Sequence, residues 1–397
     1  MTTSAPTLAP TRAGLDRRGM AVLSTGHAFT DMGQGAVPAM LPFLIAGRGY
    51  SYAAASALVL AATVSSSIIQ PLFGAASDRR SLPWLMPAGL LATGTGIALA
   101  GIAPTYALTF AAIVLSGLGV AAFHPEASRF ANYVSGARRA TGMSLFSVGG
   151  NAGFALGPVV VTPLVLLLGL PGLLAAGLLP ALMAVVVARE LPRLNRVRAS
   201  ATAAAAGARA AAPRDQWGPF VRLAAAVAVR SVVFFGLSTF VPLYFVAELG
   251  ASKADANTAL AVMLIAGALG TLAGGRLADR IGRRPVFAGS TLAVSPLIFG
   301  FLAADGTLAV ALLALAGASI IATFSVTVVM GQEYLPGRLG IASGVTLGLA
   351  IGAGGLGAAL LGVLADHTSL TTAMHVIAVT PLAAAALALS LPRAAPQ

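Results

Sequence analysis

Asp31 and Arg230 are charges embedded deep in long apolar runs, and His27 stands four residues before Asp31. A charge at the centre of a bilayer costs about 2.5–3.5 kcal/mol on insertion scales, so each one needs a reason. At 1.5 Å per helical residue, Asp31 lies roughly 16 Å into its run and Arg230 at similar depth in another. Residues four apart share a helix face, so His27 can share a proton with Asp31. The chemistry on offer is reversible proton binding at Asp31 and His27, and attraction of an anion by Arg230. Asp31 and Arg230 can also pair with each other as a structural tie, and a protonated Asp31 can be satisfied by hydrogen bonds alone. A second group, His124, Glu126 and Arg129, lies at the end of another apolar run, where Pro125 removes a backbone donor. Glu126 and Arg129 are spaced to pair on a helix. Gln332 and Glu333 occupy the matching end of a later run. This group reads either as gate salt bridges at one mouth of a pathway or as direct proton carriers, with His124 and Glu126 the titrating members.

Such residues need membrane-crossing helices to hold them. The chain has 397 residues, of which 57% are hydrophobic and 9% charged, and its mean hydropathy is +0.89. A soluble domain carries about 25% charged residues. Crossing takes about 20 apolar residues. Twelve runs qualify: 20–45, 53–76, 84–102, 106–127, 141–168, 171–188, 219–246, 257–277, 285–303, 307–331, 340–364 and 370–391. They are too long for barrel strands, which need about 9–11 residues. The first is also too long for a signal-peptide core and contains Asp31, so it reads as a retained span.

Residues 189–217 are rich in Ala and Arg and read as a basic cytoplasmic linker between two six-helix halves, 1–188 and 218–397. With both termini cytoplasmic, the inner loops hold Arg79, Arg80, Arg129, Arg138, Arg139, the linker arginines, Arg276 to Arg284, Arg338 and Arg393. The outer loops hold Arg48 and Lys253. That asymmetry follows the positive-inside rule. It accounts for the net charge of +12 without invoking nucleic acid. With no Cys there is no disulfide framework, and neither metal nor cofactor is expected.

The halves repeat. Gly74-Ala-Ala-Ser-Asp78-Arg79-Arg80 returns as Gly275-Arg-Leu-Ala-Asp279-Arg280-Ile-Gly282-Arg283-Arg284, with the two Asp residues 201 apart. Leu41-Pro42-Phe43 matches Val241-Pro242-Leu243, and Thr141-Gly142-Met-Ser144-Leu145 matches Ser343-Gly344-Val-Thr346-Leu347. Parallel duplicated halves mark transporters. This arrangement resembles the major facilitator superfamily. Gly275 to Arg284 fits its loop signature, Gly-x-x-x-Asp-Arg-x-Gly-Arg-Arg, throughout. The first copy keeps Gly74, Asp78 and Arg79 but has Ser81, Leu82 and Pro83 where Gly, Arg and Arg are usual. A narrower resemblance, to the fosmidomycin-resistance family of bacterial exporters, rests on several stretches. They are His27-Ala-Phe-Thr-Asp31-Met-Gly-Gln34, Gln70-Pro-Leu-Phe-Gly74, Ala122-Phe-His124-Pro125-Glu126, Ser144-Leu-Phe-Ser-Val-Gly-Gly-Asn151 and Gln332-Glu333-Tyr-Leu-Pro336-Gly337-Arg338.

The superfamily resemblance implies that helices 1 and 7 line a central cavity. Asp31 and Arg230 then face each other as partners or form separate proton and anion sites. Asn151 and Gln34 join them as substrate-binding candidates. It also implies a cytoplasmic latch, in which Asp78 and Asp279 each meet the start of a helix in the other half. Gly74, Arg79, Arg129, Gly275, Arg280, Gly282, Arg283 and Glu333 complete that gate. Gly153-Phe-Ala-Leu-Gly157-Pro158 resembles the helix 5 signature of drug–proton antiporters, although plain helix packing explains small residues four apart equally well. Two departures stand out: Val161 and Thr162 replace a Gly pair, and Ile113 falls where many drug antiporters carry Arg.

The expected protein is an all-α, twelve-helix, multi-pass transporter of the bacterial cytoplasmic membrane. It would act as a monomer and exchange protons for a small drug-like or anionic compound by alternating access. An importer or facilitator of a small organic acid or sugar is the alternative. Neither a nucleophile–base cluster nor a phosphate-binding loop occurs, so neither an enzyme nor an ATP-driven pump is expected.

Overall fold

The computed structural model describes residues 14–205 and 214–392, apart from 137, 337, 339, 340 and 343. Among the described residues the chain is helical throughout, with no strand. The first half comprises α1 (Arg17–Arg48), α2 (Tyr52–Arg79), α3 (Leu85–Ile102), α4 (Tyr106–Ser135), α5 (Arg139–Leu168) and α6 (Leu173–Ala205). The second comprises α7 (Trp217–Ala247), α8 (Lys253–Ile281), α9 (Arg283–Ala303), α10 (Gly306–Tyr334), α11 (Gly344–His367) and α12 (Leu370–Leu389). Eleven of these are apolar and long enough to cross a membrane; α1 is long enough but carries a polar stripe that includes His27, Thr30, Asp31 and Gln34. Backbone N–H groups left free at helix starts are met by side-chain oxygens of Asp16, Ser51, Thr105, Ser252 and Ser369. After α1 the chain turns at Gly49 with φ +66°, a left-handed conformation that favours glycine.

The linker boundary drawn at residue 188 falls inside a helix. Residues 189–205 continue α6, because an Ala-rich sequence favours helix over loop. That extension is anchored: Arg193 pairs with Asp16 at 2.6 Å, and Arg18 pairs with Glu190. Burial opposes ionisation of Asp16, but hydrogen bonds from Arg193 and Gly19 N–H prevail and hold its carboxyl below the usual range.

Inside each half, close approach depends on small residues, as expected where lipid supplies no hydrophobic drive between helices. A Cβ on Gly153 would stand 2.0 Å from Ala28 O, and one on Gly157 would stand 2.2 Å from Gly35 C. The antiporter-like glycines of α5 therefore seat it directly on α1, with Pro158 buried alongside.

The apolar cores are distributed unevenly. At the face where α1 and α7 end, one cluster joins both halves, with Met40, Leu41 and Leu44 of α1 among Phe240, Val241 and Tyr244 of α7. At the arginine-rich face, where α1 begins and α12 ends, the clusters are separate. One holds Met20, Leu23, Phe123 and Phe130 of the first half; the second half has two, one with Leu223, Val227, Phe287 and Met330 and one with Phe220, Leu335 and Ala342. Among the described residues the apolar cores of the two halves are thus joined at one face and parted at the other. Leu72, Leu167 and Leu269 are exposed, as lipid-facing side chains are.

Candidate functional site

Asp31 and His27 lie on one face of α1, where α4 brings His124 against them. Asp31 Oδ2 is 3.2 Å from His27 Nε2, Asp31 Oδ1 is 3.2 Å from His124 Nε2, and the two Nε2 atoms are 3.0 Å apart. The far nitrogens are committed elsewhere. His27 Nδ1 donates to Phe146 O and His124 Nδ1 to Val120 O, each at 2.8 Å. A carbonyl oxygen only accepts, so each neutral ring carries its hydrogen on Nδ1 and turns a lone pair inward from Nε2. Two lone pairs and a carboxylate then converge on one point, an arrangement that repels itself until a proton bridges it. The donor atoms lie within 4.8 Å of one another, so the same set is compact enough to hold a metal ion. Phe146 stacks on the His27 ring at 4.1 Å between centroids. Gly150 of α5 closes the site: a Cβ there would stand 2.5 Å from His27 Cε1 and 2.7 Å from Asp31 Oδ2.

The second half holds the opposite charge. Arg230 is 4% exposed, donates weakly from Nη1 to Ile320 O at 3.4 Å and lies 5.8 Å from the centre of the Phe324 ring. Its Nε has no partner, and among the described residues no carboxylate is within ion-pair distance of it. Asp31 and Arg230 therefore do not pair with each other among the described residues. At the 200-residue repeat, His124 corresponds to Phe324 and Thr30 to Arg230. The same helix pair, α1 with α4 and α7 with α10, therefore carries an acid–imidazole cluster in one half and an arginine–aromatic contact in the other. At Thr323 the α10 helix breaks, which turns the carbonyls of Ile320 and Ile321 towards Arg230 and Thr271.

The remaining candidates part company. Although only two positions apart in sequence, His124 and Glu126 serve different places. Glu126 is fully buried and accepts hydrogen bonds from Leu82 N–H and Ser81; it also pairs with Arg129 at 3.6 Å. Arg129 in turn donates to Ser77 O. Arg283 pairs with Glu333 at 2.7 Å. Each of these contacts joins elements of one and the same half. Asp279 and Arg280 are exposed, and among the described residues neither side chain has a hydrogen bond or ion pair. The side chains of Asp78 and Arg79 lie outside the described set, as does Gly337. Gly74 is 4.0 Å from Pro125 by its would-be Cβ, Gly275 faces open space, and Gly282 turns with φ +92°. Gln34 is half-buried on α1, its side chain without a hydrogen bond among the described residues, whereas Asn151 Nδ2 donates to Thr271 at 3.2 Å.

Two cross-half ties at the sealed face were not foreseen. Asp366, at the end of α11, accepts from Tyr52 N–H and Ala53 N–H, both at 2.9 Å, and so caps the start of α2. Asn257 of α8 donates to Ala39 O and to Thr162, each at 2.9 Å. Thr162, noted as a departure from the antiporter pattern, is thus a bonding partner. An acid near a helix end was the available signal for Asp366.

The family model described as Major Facilitator Superfamily matches residues 23–345 and 223–397. The chain is 33% identical to the Fosmidomycin resistance protein of Escherichia coli (strain K12), over 91% of this chain and 90% of that one. It is also 33% identical to the MFS-type transporter YfnC of Bacillus subtilis (strain 168), with the same coverage. In fold it is similar to a bacterial homolog of the human lysosomal transporter Spinster, with a TM-score of 0.76, 16% identity and coverage of 95% and 98%. The xylose transporter XylE from E. coli gives a TM-score of 0.72 at 13% identity, covering 94% and 96%.

Proposed function

The chain belongs to the Major Facilitator Superfamily, and from that premise we propose that it is a proton-driven exporter of a small drug-like or anionic compound of the fosmidomycin type. The observation that carries the proton is the convergence of His27, His124 and Asp31 on one point. The observation that favours an anion is Arg230, buried with an unpartnered Nε and, among the described residues, no acid within ion-pair distance. By the positive-inside rule the arginine-rich face is cytoplasmic. The parted mouth then opens inward, where cargo enters. The protein sits in the bacterial cytoplasmic membrane and works as a monomer.

Alternating access would run as a rocking of the two halves about sites near the midplane. Charge counting sharpens the cargo. With the cluster deprotonated, Asp31 carries one negative charge and Arg230 one positive, so the empty carrier is neutral across the pair. A purely anionic cargo at Arg230 leaves the cluster free to keep its proton, and the two travel together. Exchange requires the cargo to compete at the cluster as well, through an ammonium or another donor that replaces the proton. An exported compound should therefore bring an anionic group for Arg230 and a donor for Asp31. The charge count also favours a second reading: a cargo without that donor would be imported as an acid together with its proton.

Liposomes containing the protein and an internal pH dye separate the two. We expect fosmidomycin, or a zwitterionic phosphonate, to drive protons opposite to its own movement, and Asp31→Asn to abolish that flux. Protons moving with the compound would support import. Unchanged coupling in Asp31→Asn would sink the cluster's assignment.

A further inference from the structure

We propose that Asn151 and Thr271 form the relay between the proton cluster in the first half and the Arg230 site in the second; the inference rests on the reading of those two sites given above. Gly150 lies against His27 and Asp31 so closely that no side chain fits. The next residue, Asn151, reaches across to the other half and donates to Thr271 Oγ1 at 3.2 Å. Thr271 has a single hydroxyl hydrogen and two acceptors for it: Gly267 O of its own helix at 3.3 Å and Ile321 O of α10 at 3.4 Å. One hydrogen serves one acceptor fully at a time. The hydroxyl therefore has two settings of nearly equal length. The first ties α8 to itself. The second ties α8 to the break in α10, where the neighbouring carbonyl, Ile320 O, meets Arg230.

Coupling between sites needs an element with two arrangements that both sites bias. The Thr271 hydroxyl is such an element, with the cluster on one side and the α10 break on the other. A proton arriving at the cluster turns mutual repulsion of lone pairs into attraction, and the α5 segment resting on it must follow. The charged or titratable groups within pairing distance of Asp31 are His27 on its own helix and His124 on α4. On the cluster, α5 presents only the Phe146 ring and carbonyl and the bare Cα of Gly150. Asn151, a substrate-contact candidate in the sequence, is on this reading a positioning residue.

The test needs no cargo. Hydrogen exchange would be followed across residues 318–330 of the full-length protein in lipid nanodiscs, from mildly acidic to mildly alkaline pH, after correction for intrinsic rates. Proton uptake would be measured on the same samples with an indicator dye. Exchange at the α10 break should follow proton occupancy in the native protein. Thr271→Val and Asn151→Ala should each lose that response while still taking up protons, and Thr271→Ser should retain it. A response in Thr271→Val equal to the native one overturns the relay alone, as does a native break indifferent to proton uptake. Undiminished proton uptake in Asp31→Asn overturns the cluster reading, and the relay with it.

Discussion

Proton affinity at the acid–imidazole cluster depends on how the three groups are held, and Gly150 holds them. A methyl at that position would overlap His27 and Asp31. Overpacking of this kind costs about 1–3 kcal/mol. Gly150→Ala should therefore fold with a lower melting temperature and lose most of its proton-linked transport; native flux rates in liposomes would contradict the assignment. The pairing of His27 with Asp31 was legible in the sequence because four-residue spacing fixes a shared face. The membership of His124 was not. Sequence proximity grouped it with Glu126, yet helical residues two positions apart point about 200° away from each other. His124 consequently faces α1, while Glu126 faces the loop after α2. Arg230 was legible as a buried charge, but its lack of an acidic partner emerges only from the packing.

Helix ends carry much of what the sequence concealed. The acid of Asp366 completes the cap of α2: it takes the Tyr52 and Ala53 N–H groups, and Ser51 takes that of Ala54. Loss of a cap costs about 0.5–2 kcal/mol, roughly a 2- to 30-fold change in an equilibrium. Asp366→Ala should shift the protein towards states open at the sealed face by that order. The chain contains no Cys, so a single Met40→Cys, buried in the joint core, gives a clean reporter. Its maleimide labelling should accelerate when Asp366 is replaced; an unchanged rate would remove Asp366 from the seal. Helix positions were readable from apolar length, but two interruptions were not. α10 breaks at Thr323, and α11 opens with a wider π-helical turn over Gly344–Leu349. Helix α6 outran its apolar stretch because Ala-rich sequence and the Asp16–Arg193 anchor extend it beyond the lipid.

At the level of the whole molecule, the twofold design was written plainly in the chain. A bilayer dictates helix length, and loop arginines mark the repeat. Duplication also appears in bonds: Asp16 N–H donates to Val134 O and Gln216 N–H to Tyr334 O, each residue of the second pair 200 positions after its counterpart. The conformational state was not legible, because one sequence must satisfy both states of a rocking machine. The structure has its halves sealed by a shared apolar core at one face and parted at the other. Breaking that seal would wet Met40, Leu41, Phe240 and Tyr244, whereas closing the arginine-rich mouth covers mainly polar loops. Exposing apolar surface raises heat capacity, and the attraction that opposes it weakens on cooling. The conformational balance should therefore act as a thermometer: chilling the cargo-free protein should raise the Met40→Cys labelling rate relative to that of an always-exposed site, and a transporter of this build should find its outward excursion easier in the cold.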